Sequence, residues 1–227
     1  MQISRTDRKE NAIMVDRSFD TIHFYRPSEG HRLRHDPIKS IVAPRPIGWI
    51  STRARTGDYN LAPYSFFNVF SYRPPIVGFC SLGRKDSLRN VEATGEFTWN
   101  LATRELADAM HQTAAPCNAD TDEFKLAGLT PVTGQIVAAP LVAESPVAFE
   151  CQCSQIIQLR SAAGASIDAW LVLGEVQGIH IDKTLLEDGI YNTAKAHPVL
   201  RGGPPAEYFE VTAESLFRLT LRDATES

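Results

Sequence analysis

From Ile38 the texture of the chain changes: Gly and Pro cut it into short apolar runs rich in β-branched and aromatic residues. The runs are IVAPRPIGWIST at 41–52, YNLAPYSFFNVF at 59–70, PIVGFCSL at 75–82 and FTWNLA at 97–102. Several short strands at close spacing point to a β-sandwich or barrel. Pro44 and Pro46 lack the N–H that a central strand must donate, so their run belongs at an edge or a bulge. Two longer strands are expected at 147–159 and 169–181, joined by a turn at 160–168. The second of these alternates imperfectly, as strands buried on both faces do.

Helical signals are few. Asp86 is placed to N-cap a helix through Leu88 and Val91 that stops at Gly95. RELADAMHQTA, from Arg104, sets Leu106, Ala109, Met110 and Thr113 along one face. DEFKLAGL predicts a short helix around Phe124. The polar stretch 1–35 reads as an irregular N-terminal arm, and 36–227 as the folded domain.

Composition narrows the function. The 227 residues are 43% hydrophobic and 22% charged, enough for a substantial core. A net charge of -4 argues against general nucleic-acid binding, which needs a basic surface. No apolar run is long enough to span a bilayer. The opening MQISRTDRKENAIMVDRSFD has no apolar core of a secretion signal, so a cytoplasmic protein is expected. Cys80, Cys117, Cys151 and Cys153 form no CxxC pair and no zinc spacing. Cys151 and Cys153 are two apart in a strand, on one face, and read as structural thiols. His31 and His35 are four apart but lie in a loop with no third ligand, and no metal site is expected.

The common phosphate and hydrolase motifs, GxGxxG, GxxxxGK[ST], GxSxG and HExxH, are missing. One local feature carries chemistry. The strand PIVGFCSL runs through Gly83, Arg84 and Lys85 into the helix that begins at 86. A strand, a tight turn and a helix N-terminus gather free backbone N–H groups and the positive end of a dipole. Lys85 adds charge and Ser87 a hydroxyl, which makes a candidate phosphate cradle. An ordinary capped helix with solvated cations would look the same. A second feature is the density of small hydroxyls and aromatics. Trp49, Ser51 and Thr52 close one run, and Ser65, Phe66 and Phe67 lie in the next. A flat heteroaromatic ligand needs apolar walls with a few aimed donors, but barrel core reads the same way.

These runs taken in order resemble the flavin reductase-like, FMN-binding split-barrel family. The matching residues are APRPIGWIST at 43–52, NLAPYSFFN at 60–68, RPP at 73–75, RKDSLRN at 84–90 and TGEFTWN at 94–100. FYRPSEGHRLRHDPIKSIV at 24–42, GLTP at 128–131, GEVQGIHID at 174–182 and HPVLRGG followed by Tyr208 extend the likeness over roughly 24–210. The resemblance implies a mainly β chain, a six-stranded antiparallel split barrel with peripheral helices. It implies a homodimer with FMN near the subunit interface and NADH or NADPH as co-substrate. Carried over by motif, Arg45, Trp49, Ser51 and Thr52 border the flavin and its ribityl chain. Ser65, Phe66 and Phe67 lie along the isoalloxazine edge, and Lys85 and Ser87 hold the phosphate. His197 and Arg201 belong to a C-terminal motif close to the cofactor.

Such a chain is expected to be an NAD(P)H-dependent flavin reductase that can serve a monooxygenase partner. An FMN-binding electron carrier or flavin-holding module is the alternative, and a pyridoxine phosphate oxidase of related fold is a weaker third. Hydride transfer to a flavin needs no obligatory general acid, so no catalytic residue is assigned.

Overall fold

The computed structural model of the protein describes residues 21–115 and 121–220. The chain divides into two compact units after Pro37. In the first, the described residues 21–37 contain one 3-10 turn, Pro27–Glu29, and a contact of the His23 ring with the His31 carbonyl at 2.8 Å. Residues 1–20 of the expected arm and Cys117 lie outside the described residues.

The second unit begins with a short helix α1 (Ile38–Ile41) and the strands β1 (Arg45–Pro46), β2 (Gly48–Arg53), β3 (Tyr59–Tyr64), β4 (Phe67–Tyr72) and β5 (Pro75–Leu82). Helix α2 (Asp86–Thr94), strand β6 (Glu96–Asn100), helices α3 (Ala107–Gln112) and α4 (Glu123–Leu126), and the small strands β7 (Pro131–Val132) and β8 (Leu141–Val142) follow. Two long strands, β9 (Val147–Arg160) and β10 (Ser166–Ile181), form a hairpin. The chain closes with β11 (Leu186–Glu187), β12 (Ile190–Tyr191), β13 (Val199–Arg201) and β14 (Tyr208–Glu210).

The main sheet is antiparallel and seven-stranded, in the order β3-β2-β6-β9-β10-β5-β4. That is one strand more than expected. Arg73 and Pro74 form a two-residue turn that folds Phe67–Tyr72 back on Pro75–Leu82, with Tyr72 opposite Pro75. The Pro-rich 44–46 segment is kept out of this sheet. It pairs with β13 instead, in a separate three-stranded sheet of order β1-β13-β14.

Strand β2 is buried on both faces and separates two cores. Ile50 faces Phe79, Phe97 and the Leu88 and Val91 side of α2. Trp49 faces Leu61, Met110 of α3 and Phe124 of α4. Leu88 and Val91 stand three apart, one helical turn, so α2 presents one apolar stripe to the sheet. Gly95 ends that helix in the left-handed region at φ 75°, returning its N–H to the Val91 carbonyl. Asp86 does not cap it: the N-cap position is Lys85, and Asp86 pairs with Arg89 instead. Cys151 is buried in the Ile50 core and Cys153 packs against it from the same strand face. Burial raises both thiols above their ordinary pKa.

A buried carboxylate fixes the long loop that precedes β8. Glu150 on β9 is fully buried and accepts N–H bonds from Gln135 at 2.9 Å, Ile136 at 2.6 Å and Val137 at 2.8 Å. The His180 ring of β10 meets the same carboxylate at 2.6 Å. Gly134 admits it, since a Cβ there would stand 2.4 Å from Glu150 Oε2. The Pro140 carbonyl at the far end of the loop then accepts from Ser51 and from Thr98, the latter at 2.7 Å. Burial alone would raise the Glu150 pKa, but His180 and the three N–H groups outweigh it and hold the pKa at about 2.

That depressed pKa sets a pH dependence. The ionised form is favoured in the folded chain, so its stabilisation is complete above the unfolded value of 4.5 and is lost as pH falls toward 2. Urea unfolding between these pH values is expected to show a steep acid decline that Glu150→Gln makes shallower. Equal slopes in the two proteins would remove Glu150 as the anchor.

Candidate functional site

Beside the β1–β13 pair opens a cleft of about 540 Å³. Its size lies within the range of small-molecule sites. Ile47, Pro63, Phe66, Leu82 and Met110 supply apolar walls. Lys39, Arg45, Lys85 and Arg201 supply positive charge, and Ser65, Cys80, His111 and Tyr208 supply polar tips. Three connecting pieces of chain contribute to this lining. The β3–β4 turn carries Ser65 and Phe66, the β5–α2 turn carries Lys85, and the segment after β13 carries Gly202 to Pro205.

The start of α2 carries no side-chain cap, and Lys85 beside it lines the cleft. Lys85 has extended backbone angles at the N-cap and gives no side-chain cap bond. The first N–H groups of a helix have no partner within it, so these are left to solvent or to an anion. Ser87, the second residue of α2, is buried, and its Oγ accepts from Asn60 Nδ2 at 2.8 Å. Thr52 joins the same buried group through Asn90 Nδ2 at 3.0 Å. These bonds fasten the start of α2 to β2 and β3.

Two buried polar atoms in the cleft walls have no hydrogen-bond partner, the Tyr64 hydroxyl and Arg45 Nε. The Tyr64 hydroxyl lies beside Ser81 and Ser87 without completing a bond to either, and burial raises its pKa. Arg45 donates through Nη1 to the Lys39 and Val42 carbonyls and through Nη2 to Gly202 O at 2.9 Å. Its pKa is lowered, first by burial and then by the neighbouring Arg201. Burial also raises the Cys80 thiol, which stays protonated at neutral pH. Orphaned buried polar atoms are uncommon and ask for an explanation.

The residues picked out from sequence separate into two sets. Arg45, Ser65, Phe66, Lys85 and Arg201 meet in the cleft. Trp49, Ser51, Thr52, Phe67 and Ser87 point into the interior. Trp49 donates its indole N–H to Thr113 at 3.0 Å, and Ser51 bonds Thr98 and the Pro140 carbonyl. Phe67 stacks on Trp99 with ring centroids 5.7 Å apart. Phe66 stands in the β3–β4 turn and lines the cleft, whereas Phe67 opens β4 and packs in the core. His197 lines a different cavity of about 580 Å³ and pairs with Glu210 at 2.7 Å. His180 faces Glu150.

The comparisons with known proteins fit this arrangement. The model of the flavin reductase like domain matches residues 42–200. The chain belongs to that family. A protein of Aquifex aeolicus is 34% identical over 172 residues, 73% of this chain and 84% of its own. The structure of nitrilotriacetate monooxygenase component B from Bacillus cereus superposes with a TM-score of 0.78 at 27% identity, covering 87% of this chain and 98% of that one. A split barrel domain protein of Shewanella frigidimarina gives 0.70 at 25% identity, over 82% of this chain and 90% of that one. The fold of this flavin reductase-like chain is therefore the split barrel.

Tyr64, Cys80, Met110, His111 and Lys39 also line the cleft of this family member and carried no functional signal in sequence. Met110 reads correctly as an apolar helix face, and nothing local tells that it also lines a cleft. Replacing Tyr64 by Phe removes an unsatisfied hydroxyl, which normally costs about 1–3 kcal/mol to bury. The ligand-free Tyr64→Phe protein is expected to be at least as stable as the wild type in urea. A loss of more than about 1 kcal/mol, the worth of an ordinary hydrogen bond, would show that the hydroxyl is paired.

Proposed function

We propose that the cleft holds FMN and that the protein is an NAD(P)H-dependent flavin reductase. One observation carries this: an uncapped helix start with Lys85 beside it, opening into an apolar-walled cleft where no Asp or Glu is found among the described residues. A phosphate monoester suits that end, because backbone N–H groups, the helix dipole and an ammonium all favour a dianion. The apolar walls suit a ring system. When bound, FMN supplies the acceptance of hydride and the release of electrons.

The chain's own residues then have distinct tasks. Lys85 and the first N–H groups of α2 bind the phosphate. Phe66, half exposed at the lip, and Ile47, Pro63 and Met110 within exclude water from the ring. Ser51, Thr52, Ser87 and Trp49 act one layer back, holding β2 and α2 in place. Cys80 stays a neutral thiol. The resemblance to a monooxygenase component supports a monooxygenase as the partner that consumes the reduced flavin. The edge strand β4 exposes Val69, Phe70 and Tyr72, and an exposed apolar edge supports a homodimer.

Two measurements test the reading. Lys85→Ala is expected to weaken FMN by about 1–3 kcal/mol, the cost of losing a hydrogen bond to a charged group, while riboflavin affinity hardly moves. Equal weakening of both would take the phosphate away from Lys85. Anaerobic mixing of the FMN-loaded protein with NADH or NADPH is expected to bleach the flavin absorbance. A flavin that binds and does not bleach would favour the electron-carrier reading.

A further inference from the structure

The cleft holds more positive charge than one phosphate monoester needs. Lys85 stands on the β5–α2 turn of the main sheet, and three more cations come from the other side, Arg45 and Arg201 of the three-stranded sheet and Lys39 of α1. Arg45 and Arg201 are direct cross-strand partners in the β1–β13 ladder. Like charges so placed repel each other. The whole chain has a net charge of -4, so this concentration is local.

Among the described residues no Asp or Glu lines the cleft. Nearby, Asp86 pairs with Arg89, Glu210 meets the His197 ring, and Glu207, beside Gly203, accepts the Gly203 N–H at 3.2 Å and keeps its charge. Arg45 is only 7% exposed, and its guanidinium bonds to three neutral carbonyls and to no carboxylate, with Nε left unpaired. A buried cation without a counter-ion is costly unless a ligand completes it. Arg201 is different, since its guanidinium is preset for a ligand. Its plane lies over the Tyr208 ring at 4.8 Å from the centroid, and Nη2 donates to Pro205 O at 3.0 Å. Among the described residues that is its one protein hydrogen bond, which leaves most of a planar fork that matches phosphate oxygens.

We infer that the Arg45–Arg201 end of the cleft is a second oxyanion subsite, which takes the phosphates of the nicotinamide dinucleotide while Lys85 and α2 hold that of FMN. The inference rests on the reading that FMN occupies the cleft. It explains how a chain without a dinucleotide motif can bind a dinucleotide: the charge comes from two paired strands and not from a glycine-rich turn. Arg201 makes the contact, and Arg45 acts as a fixed positioning charge behind it.

The test compares two hydride donors on FMN-saturated protein without oxygen. NADPH carries phosphates, and 1-benzyl-1,4-dihydronicotinamide carries the same reactive ring and none. Arg201→Gln is expected to lower the ratio of kcat/KM for NADPH to that for the benzyl compound at least tenfold, through KM, with Arg201→Lys falling between. Calorimetry with inorganic pyrophosphate needs no turnover. It is expected to show binding to the FMN-loaded wild type and at least tenfold weaker binding to Arg201→Gln. An unchanged donor ratio, or pyrophosphate that binds both proteins alike or displaces FMN, would overturn the subsite. If neither donor bleaches the wild-type flavin, the reductase reading fails, and the pyrophosphate titration still decides whether an anion binds here. Should Arg201→Gln not fold, Lys39→Gln on the exposed rim is measured in the same way, with a smaller drop expected and no drop counting against the subsite.

Discussion

Burial of β2 on both faces is the constraint from which the placement of the site follows. Trp49 and Ile50 point into separate cores, and Ser51 and Thr52 are bonded into the interior behind them. A strand spent in this way on packing has no side chain left for a ligand. The cleft takes much of its lining instead from where strands end or turn, at Tyr64 to Phe66, at Lys85 and at Arg201 to Pro205. The proline-rich 44–46 stretch contributes for the same reason. Excluded from the main sheet, it pairs with β13 and brings Arg45 to the cleft wall.

Helix α2 connects this packing to chemistry. Its apolar stripe fixes where it sits, and the buried Asn60, Ser87, Thr52 and Asn90 group fixes where it starts. The start carries no side-chain cap, so the polar demand of its first turn faces outward beside Lys85. Glu150 does the equivalent work on the opposite flank. Its carboxylate satisfies three loop N–H groups and so seats the Pro140 carbonyl on Ser51 and Thr98.

Much of this was legible in the residues. Gly and Pro spacing marked the short strands, the long 147–160 and 166–181 hairpin was visible in its apolar runs, and Gly95 marked the end of α2. The local chemistry of the turn at Lys85 marked it as a candidate anion site, and the fold brings Lys85 to the cleft. What remained hidden depends on pairing between distant segments. Asp86 looked like a cap, but Arg89 one turn later offers it an ion pair. Trp49, Ser51, Thr52 and Phe67 sit in runs close to the cleft, yet β2 is covered on both faces and Phe67 packs into the core, so these side chains are buried. The cross-strand meeting of Arg45 and Arg201, 156 positions apart in sequence, cannot be read from either run alone.

FMN in the β1–β13 cleft, with its phosphate at the start of α2, is the proposal on which the other assignments rest. It can be checked in a crystal structure of the protein soaked with FMN. The phosphate is expected within hydrogen-bond distance of Lys85 Nζ and the first N–H groups of α2, with the ring against Phe66. A phosphate seated on Arg201, or a flavin bound outside this cleft, would contradict it.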